Sequence, residues 1–150
     1  MGPQPRRIME DLDVNVTRID QIAIAVPDLD EALAFYERAF GLTAERRERV
    51  DSDGVEEAMI DVGGVYLQLL QATRDDSPIA KYLERNGPGL HHLGFGVASV
   101  GEALDHLREE DVRLIDEEPR PGGGGHTVAF VHPKGTGGVL VELVEDAREH

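Results

Sequence analysis

The chain repeats part of its own sequence, and this repeat constrains the fold more than any other feature. Residues 19–33 align with residues 90–104 at a constant offset of 71 positions, and residues 63–70 align with residues 137–144 at an offset of 74. Four pairs in the first alignment are identical: Val26 and Val97, Glu31 and Glu102, Ala32 and Ala103, Leu33 and Leu104. A module of about 70 residues buries too little surface to be stable alone, so we expect the two modules to form one domain.

Each module shows the same order of predicted elements, βαβββ. A short β-rich run precedes a turn signal, an amphipathic helix follows, and three further strand-like runs complete the module. The predicted strands are residues 22–26, 43–50, 57–62 and 65–70 in the first module and residues 93–97, 113–117, 127–132 and 139–144 in the second. The expected fold class is therefore α+β, with two tandem βαβββ modules related by internal duplication.

The same patterns predict where the domain begins and ends. Residues 1–16 are polar and unpatterned, and we expect a flexible N-terminal arm there. Ser77 followed by Pro78 is typical of a helix start and predicts a short linker helix between the modules. The expected bounds are 17–146 for the domain, about 18–71 for module one, about 77–86 for the linker helix and about 90–145 for module two.

The composition excludes several classes of function. Asp and Glu number 30 against 15 Lys and Arg, and the formal net charge of −15 disfavours binding to nucleic-acid phosphates. The chain has no cysteine, which excludes disulfides, thiolate zinc sites and cysteine nucleophiles. Its apolar stretches are too short to span a membrane, and residues 1–13 lack the apolar core of a signal peptide. We expect a cytoplasmic protein with no nucleic-acid or membrane partner.

Four polar residues interrupt the apolar pattern at matched positions of the repeat. Gln21 and His92 share one position, at the start of the first strand of each module, and Gln68 and Glu142 share another, inside the last strand. A polar group among apolar neighbours is costly unless it is paired or bound to a metal. If a pseudo-twofold axis relates the modules, the four side chains converge on one point. Two amide oxygens, an imidazole and a carboxylate suit a divalent ion with open coordination positions.

Taken singly, each of these residues has a structural explanation. A lone histidine at a strand start is usually hydrogen bonded, a lone glutamine usually faces solvent, and Glu142 alone could pair with an arginine. Glu57 or its neighbour Glu56 supplies a further inward carboxylate, and the pattern does not choose between them. Residues 122–125 are four glycines without the Lys-Ser/Thr of a phosphate-binding loop, so we interpret them as a flexible loop. Three histidines without a repeat partner are interpreted as surface or loop residues: His106, His126 and His132.

Together these features resemble the vicinal oxygen chelate superfamily, in which paired βαβββ modules hold a metal at their centre. Within it, the chain is similar to the methylmalonyl-CoA epimerase family. The stretches that carry the similarity extend over most of the region from residue 18 to residue 145: 18–26, 54–59, 66–70, 86–92, 116–120, 132–134 and 138–143. The resemblance implies a single vicinal-oxygen-chelate domain around a central metal site.

By position, the resemblance implies a ligand set and a catalytic base. The implied ligands are Gln21, Gln68, His92 and Glu142, the implied base is Glu57, and Glu142 is either a ligand alone or a ligand that also carries a proton. The family has histidine where this chain has Gln21, and an amide oxygen is a weaker ligand than imidazole, so metal affinity or preference is expected to differ. The implied cofactor is a divalent ion: Co, Mn, Ni or Zn.

The implied reaction is epimerisation of (R)- and (S)-methylmalonyl-CoA by α-proton abstraction through a metal-stabilised enolate, with an acyl-CoA as substrate. Two other functions remain open. One is another metal-dependent enzyme of the superfamily, a glyoxalase I-like lyase or a ring-cleaving dioxygenase, although glyoxalase I carries Glu at the position of Gln68. The other is a non-catalytic resistance protein that binds small molecules. Because the strands leave exposed edges, we also expect a homodimer.

Overall fold

The computed structural model describes residues 14–145, which form one set of strands and helices for each module. The elements in chain order are β1 (Val16–Ala25), α1 (Leu29–Phe40), β2 (Arg46–Val50), β3 (Val55–Val62), β4 (Val65–Ala72), α2 (Pro78–Asn86), β5 (Gly89–Val97), α3 (Val100–Glu109), β6 (Arg120–Pro121), β7 (Thr127–Val131) and β8 (Val141–Glu145). Module one therefore runs β1-α1-β2-β3-β4 and module two runs β5-α3-β6-β7-β8, with α2 between them. The βαβββ order predicted for each module is confirmed.

The strands form one sheet, in the order β2-β3-β4-β1-β5-β8-β7-β6. β1 and β5, the first strands of the two modules, are antiparallel neighbours at its centre. On either side, β1 pairs in parallel with β4, and β5 pairs in parallel with β8. The two halves of the sheet thus repeat the same strand order about the β1–β5 pair, and the predicted α+β fold with internal duplication is confirmed.

Local signals in the sequence set the ends of the helices. The Asp28 carboxylate caps α1 by accepting a hydrogen bond from the Glu31 N–H at 3.0 Å. The Ser99 hydroxyl accepts the equivalent bond from the Glu102 N–H at the start of α3, so the cap repeats between the modules. α1 ends at Gly41, whose φ of 70° is the left-handed conformation that favours glycine. None of the helices in residues 14–145 is both long and apolar enough to cross a membrane.

The hydrophobic core lies on the helix-covered face of each half of the sheet. α1 packs on β3 and β4, where Leu29, Ile60 and Leu69 are fully buried. α3 packs on β7 and β8 in the same way, around Leu104 and Leu143. On this face, each half of the sheet therefore packs against the helix of its own module.

The other face of the sheet carries a second apolar cluster and, beside it, a set of polar side chains. Successive residues of a strand point to opposite faces. In β4, Leu67 and Leu69 pack with α1, whereas Leu70 belongs to a separate cluster with Ala23 of β1 and Ile79 of α2. Gln68 shares the face of Leu70. Polar residues that alternate with core residues along the strands therefore lie together on the face of the sheet opposite α1 and α3.

The prediction of a strand at residues 113–117 is wrong. In this segment the structure has a single bridge between Leu114 and Val131, and the edge strand of module two is the short β6. A side chain replaces the backbone ladder here, because Oδ2 of Asp116 accepts a hydrogen bond from the Phe130 N–H at 2.8 Å. The backbone N–H groups of Ile115 and Asp116 both donate to the Phe130 carbonyl. A β-rich pattern alone does not distinguish this side-chain pairing from a strand.

The first strand begins earlier than the sequence pattern predicts. β1 starts at Val16 rather than at residue 22, and its pairing with β5 extends to Val16 opposite Val97. Val14 and Val16, at the end of the expected N-terminal arm, pack against the core of module two. The remainder of that arm, residues 1–13, lies outside the described residues.

We expect Leu69→Ala to lower the free energy of unfolding by about 2–5 kcal/mol, because it leaves a cavity beneath α1. Leu90→Ala removes the same atoms from a side chain that is 67% exposed, compared with 0% for Leu69. This control is expected to change the stability by less than about 0.5 kcal/mol. Urea unfolding of both variants and the wild type measures the difference, and equal losses would contradict the core described here.

Candidate active site and metal centre

A cavity of about 410 Å³ lies on the face of the sheet that α1 and α3 leave open. Both modules contribute to its wall, and so does Ile79 of α2. Five residues singled out from the sequence line it: Gln21, Glu57, Gln68, His92 and Glu142. Four of them are buried, and the Glu142 side chain is 13% exposed. The structure therefore brings the predicted residues to one cavity, in two groups that make different contacts.

Gln21, His92 and Glu142 form the first group. The Gln21 Nε2–H donates to Oε1 of Glu142 at 2.5 Å. The same Glu142 oxygen is 3.2 Å from Nε2 of His92, and the Gln21 and His92 Nε2 atoms are 3.5 Å apart. Three polar side chains from β1, β5 and β8 therefore meet at a single point.

The first group depends on the absence of a side chain at Gly94 of β5. Gly94 is the register partner of Gln21 on β1 and of Glu142 on β8. A Cβ atom at this position would lie 2.2 Å from Cδ and Oε1 of Gln21. This distance is too short for atoms that are not bonded, so Gln21 could not keep its present position. The β1–β5 register also shifts between Ile19 and Gln21, and such irregularities re-aim side chains. Gln21 and Glu142 can therefore meet across the intervening strand.

Glu57 and Gln68 form the second group. The Gln68 Nε2–H donates to Oε1 of Glu57 at 2.8 Å, and Oε2 of Glu57 is 3.6 Å from the Arg46 guanidinium. Burial raises the pKa of Glu57 above its ordinary value, although the Gln68 hydrogen bond and the Arg46 charge lower it. The structure thus provides a buried, hydrogen-bonded carboxyl group whose basicity is increased.

The structure also decides between the two adjacent glutamates. Glu57 is buried in the cavity, whereas Glu56 is not part of the cavity wall and accepts a hydrogen bond from Arg47 at 2.8 Å. The alternation of β3 separates them, because neighbouring residues of a strand face opposite sides. Glu57 is therefore the inward carboxylate.

The amide oxygens of Gln21 and Gln68 fit a bound cation. Both Oε1 atoms are buried, and neither has a hydrogen-bond partner among the described residues. Leaving such an atom unsatisfied costs about 1–3 kcal/mol, so each oxygen is available to a ligand. No group of three or more His, Asp or Glu side chains within residues 14–145 is arranged to hold a metal. A metal centre in this cavity therefore depends on the two amide oxygens together with His92 and Glu142.

His91 also lines the cavity, next to the first group. Its Nδ1 lies 2.8 Å from Nδ1 of His92. Burial lowers the pKa of His91 to about 4, with a smaller contribution from His92. The repeat indicated His92, which aligns with Gln21, whereas His91 aligns with Asp20 and the sequence pattern predicted no role for it.

The glycine segment at residues 122–125 was interpreted from the sequence as a flexible loop, and the structure places it against the site. A Cβ atom at Gly123 would lie 2.9 Å from Oε2 of Glu57, and the Gly124 N–H donates to Glu48 at 3.0 Å. His126 follows the segment and lines the cavity, where its Nδ1 is buried without a hydrogen-bond partner in the described part of the chain. The segment belongs to module two and Glu57 to module one, so they meet only because the strands of the two modules pair. No local sequence pattern encodes this contact.

Comparison with known proteins identifies the family. The chain matches the model of the Glyoxalase/Bleomycin resistance protein/Dioxygenase superfamily over residues 20–130. The mitochondrial methylmalonyl-CoA epimerase of Homo sapiens is 38% identical over 130 residues, which cover 86% of this chain and 74% of the human protein. The match to the human protein therefore extends over both modules.

Two solved structures have the same fold. A variant of the Streptomyces coelicolor methylmalonyl-CoA epimerase, in complex with 2-nitronate-propionyl-CoA, is 42% identical and superposes with a TM-score of 0.85, covering 89% of this chain and 96% of that chain. A methylmalonyl-CoA epimerase in complex with methylmalonyl-CoA and NH4+ gives the same identity, coverage and TM-score. The chain therefore belongs to the Glyoxalase/Bleomycin resistance protein/Dioxygenase superfamily and, within it, to the methylmalonyl-CoA epimerase family.

Proposed function

We propose that this chain is an isomerase that catalyses the metal-dependent epimerisation of (R)- and (S)-methylmalonyl-CoA. One observation carries the proposal: a single cavity holds the buried carboxyl group of Glu57 together with the cluster of Gln21, His92 and Glu142. Membership of the methylmalonyl-CoA epimerase family supports the same substrate, since a solved relative contains methylmalonyl-CoA.

The reaction requires proton transfer at one carbon atom. The α-carbon of the substrate lies between a thioester carbonyl and a carboxylate, which makes its hydrogen acidic. Glu57 takes this proton, and the electron pair of the C–H bond passes into the enolate of the thioester. Return of a proton to the opposite face of the carbon produces the other epimer. Glu142 is the proposed carrier on that face, because it is the second carboxylate of the predicted set in the cavity wall.

The contacts of Glu57 suit it to act as a base. Its raised pKa makes the carboxylate a stronger proton acceptor, and the Gln68 N–H holds Oε1 in a fixed orientation. Arg46, within 3.6 Å of Oε2, favours the ionised form that is needed to accept a proton. Gly123 lies close to the same carboxylate, since a Cβ atom there would be 2.9 Å from Oε2, and Glu57 is buried in the cavity.

Gln21, Gln68, His92 and Glu142 are the proposed ligands of a divalent ion, which is Co, Mn, Ni or Zn. When bound, such an ion supplies Lewis-acid stabilisation of the negative charge that develops on the substrate oxygens. The charge of the cavity supports this proposal. In the described part of the chain, five carboxylates line the cavity and exceed the three arginines there: Asp20, Asp53, Glu57, Asp61 and Glu142 against Arg18, Arg46 and Arg120. A divalent cation offsets this excess, which otherwise repels an anionic acyl-CoA.

The two other functions that the sequence left open predict different results. A lyase or dioxygenase of the superfamily binds metal but does not exchange the α-hydrogen of methylmalonyl-CoA. A resistance protein binds its ligand without chemical change. The Glu57–Gln68 pair favours proton transfer, because it places a hydrogen-bonded carboxyl group in the wall of the cavity that also holds Gln21, His92 and Glu142.

We also propose that the protein is a cytoplasmic homodimer. Several large apolar side chains are exposed, among them Phe40, Leu90 and Ile115. β2 and β6 lie at the two edges of the sheet and leave backbone groups available for pairing. A cytoplasmic location is consistent with a coenzyme A thioester as substrate.

We expect the purified protein to bind a single divalent ion per chain, and Glu142→Ala to abolish this binding because it removes the carboxylate of the ligand set. His92→Ala should lose the metal and the activity together. Gln21→His should bind more tightly, since it adds a nitrogen ligand. Elemental analysis and titration after chelator treatment measure each change. Glu118→Ala, which alters an exposed carboxylate outside the cavity wall, is the control; absence of metal uptake by the wild type would contradict the proposed centre.

We expect Glu57→Gln to retain the metal and to lose at least about 10²-fold of the epimerisation rate, because the amide keeps the shape of the side chain but cannot accept the proton. Exchange of the substrate α-hydrogen with deuterated water should fall in parallel. Glu56→Gln is the matched control, since that carboxylate is turned away from the cavity and pairs with Arg47. Near-full exchange by metal-loaded Glu57→Gln would mean that another group, such as Glu142, is the base.

We expect light scattering to give a molecular mass of twice the 16.4 kDa of one chain at micromolar concentration. Leu90→Asp places a charge on the most exposed of the large apolar side chains in the described residues. If Leu90 lies in the dimer interface, this variant should shift the equilibrium towards the monomer without unfolding the chain. A monomeric wild type at this concentration would contradict the dimer.

A further inference from the structure

Two adjacent histidines of β5 are linked through their rings. Nδ1 of His91 and Nδ1 of His92 are 2.8 Å apart, a distance at which one nitrogen donates a hydrogen bond to the other. The opposite nitrogen of the second ring, Nε2 of His92, lies 3.2 Å from Oε1 of Glu142 and 3.5 Å from Nε2 of Gln21. His92 therefore presents Nε2 to the proposed ligand set and Nδ1 to His91.

The position of the hydrogen on His92 decides whether Nε2 can bind a metal. A metal ion requires a free lone pair on Nε2, so a neutral His92 ring must then carry its hydrogen on Nδ1. Since the two Nδ1 atoms share one hydrogen, His92 must be the donor and His91 the acceptor. If the hydrogen bond ran in the other direction, His92 would carry its hydrogen on Nε2, where it would block the lone pair.

The His91 ring is held in this orientation by the linker helix α2. The ring of Tyr82 meets it edge to face, with ring centroids 5.0 Å apart. The Tyr82 hydroxyl donates to the carbonyl of Leu90, the preceding residue of β5, at 2.5 Å. On the other side, the ring of Phe130 meets His92 edge to face at 5.3 Å. The pair of histidines is therefore fixed on both sides by aromatic rings.

We propose that His91 is a positioning residue for the metal centre: it accepts the Nδ1–H of His92 and so keeps Nε2 of His92 free to bind the ion. This inference rests on the metal centre of the proposed function. His91 itself is not a ligand in the proposal, and its contribution is to orient the His92 ring and to select the form that can coordinate. Partners of this kind, one step removed from the metal, change metal affinity by about 10- to 100-fold when they are removed.

The first test is a Zn2+ titration of the protein after chelator treatment. His91→Phe keeps an aromatic ring against Tyr82 but removes the acceptor, and it should weaken Zn2+ binding by about 10- to 100-fold. His91→Asn places an amide oxygen close to the position of Nδ1 and should restore most of the affinity. His126→Phe is the control, because His126 lines the same cavity but its Nδ1 bonds to none of the described residues. Circular dichroism and thermal melting verify that each variant is folded.

The second test is nuclear magnetic resonance of the 15N-labelled, Zn2+-loaded protein, which reports on the hydrogen without measuring activity. The wild type should show a hydrogen on Nδ1 of His92 that exchanges slowly with water. This signal should lose its protection in His91→Phe and regain it in His91→Asn. A change in folding alone does not move the hydrogen from one nitrogen to another.

The outcomes separate this inference from the proposed function. If the wild type binds Zn2+ and His91→Phe binds it equally tightly, the inference about His91 is wrong and the proposed metal centre stands. If the wild type binds no divalent ion, both are wrong. Should His91→Phe fail to fold, the spectrum of the wild type is decisive by itself: a hydrogen on Nε2 of Zn2+-loaded His92 overturns the inference.

Discussion

At the centre of the sheet, Gln21 of β1 and Glu142 of β8 reach across β5 and meet beside Gly94, where a glycine leaves no side chain between them. This contact joins the first strand of module one to the last strand of module two. His92 enters the same point from β5, and Gln68 and Glu57 line the neighbouring wall of the cavity. The arrangement of the candidate site therefore depends on the antiparallel β1–β5 pair, since no single module contains more than part of it.

The site is compatible with a stable domain because polar and apolar side chains use different faces of the sheet. The unpartnered amide oxygens of Gln21 and Gln68 each cost about 1–3 kcal/mol in the absence of a ligand. Full burial of side chains such as Leu69 beneath α1 and Leu104 in α3 offsets this cost. A bound cation would remove the cost and add to the stability, because a ligand that binds the folded state alone stabilises it.

Most of the fold and part of the site could be predicted from the sequence. The repeat predicted two βαβββ modules, and matched polar positions within it indicated Gln21, His92, Gln68 and Glu142 without structural information. The choice between Glu56 and Glu57 needed the structure, which shows Glu56 paired with Arg47 outside the cavity. The prediction of a strand at residues 113–117 was wrong because the Asp116 side chain accepts a hydrogen bond that a backbone carbonyl would accept in a strand. A side-chain bond of this kind leaves no periodic pattern in the sequence.

The sequence by itself determined which residues of the two modules occupy matching positions, because the repeat recurs at a nearly constant spacing. It also determined which polar side chains interrupt the apolar alternation, because that pattern is local. The tertiary structure alone decided which groups touch. It placed Gly123 of module two against Glu57 of module one, and it turned Nδ1 of His91 towards His92. These contacts arise from strand pairing between the modules and from ring orientation, and neither is encoded in the spacing of residues along the chain.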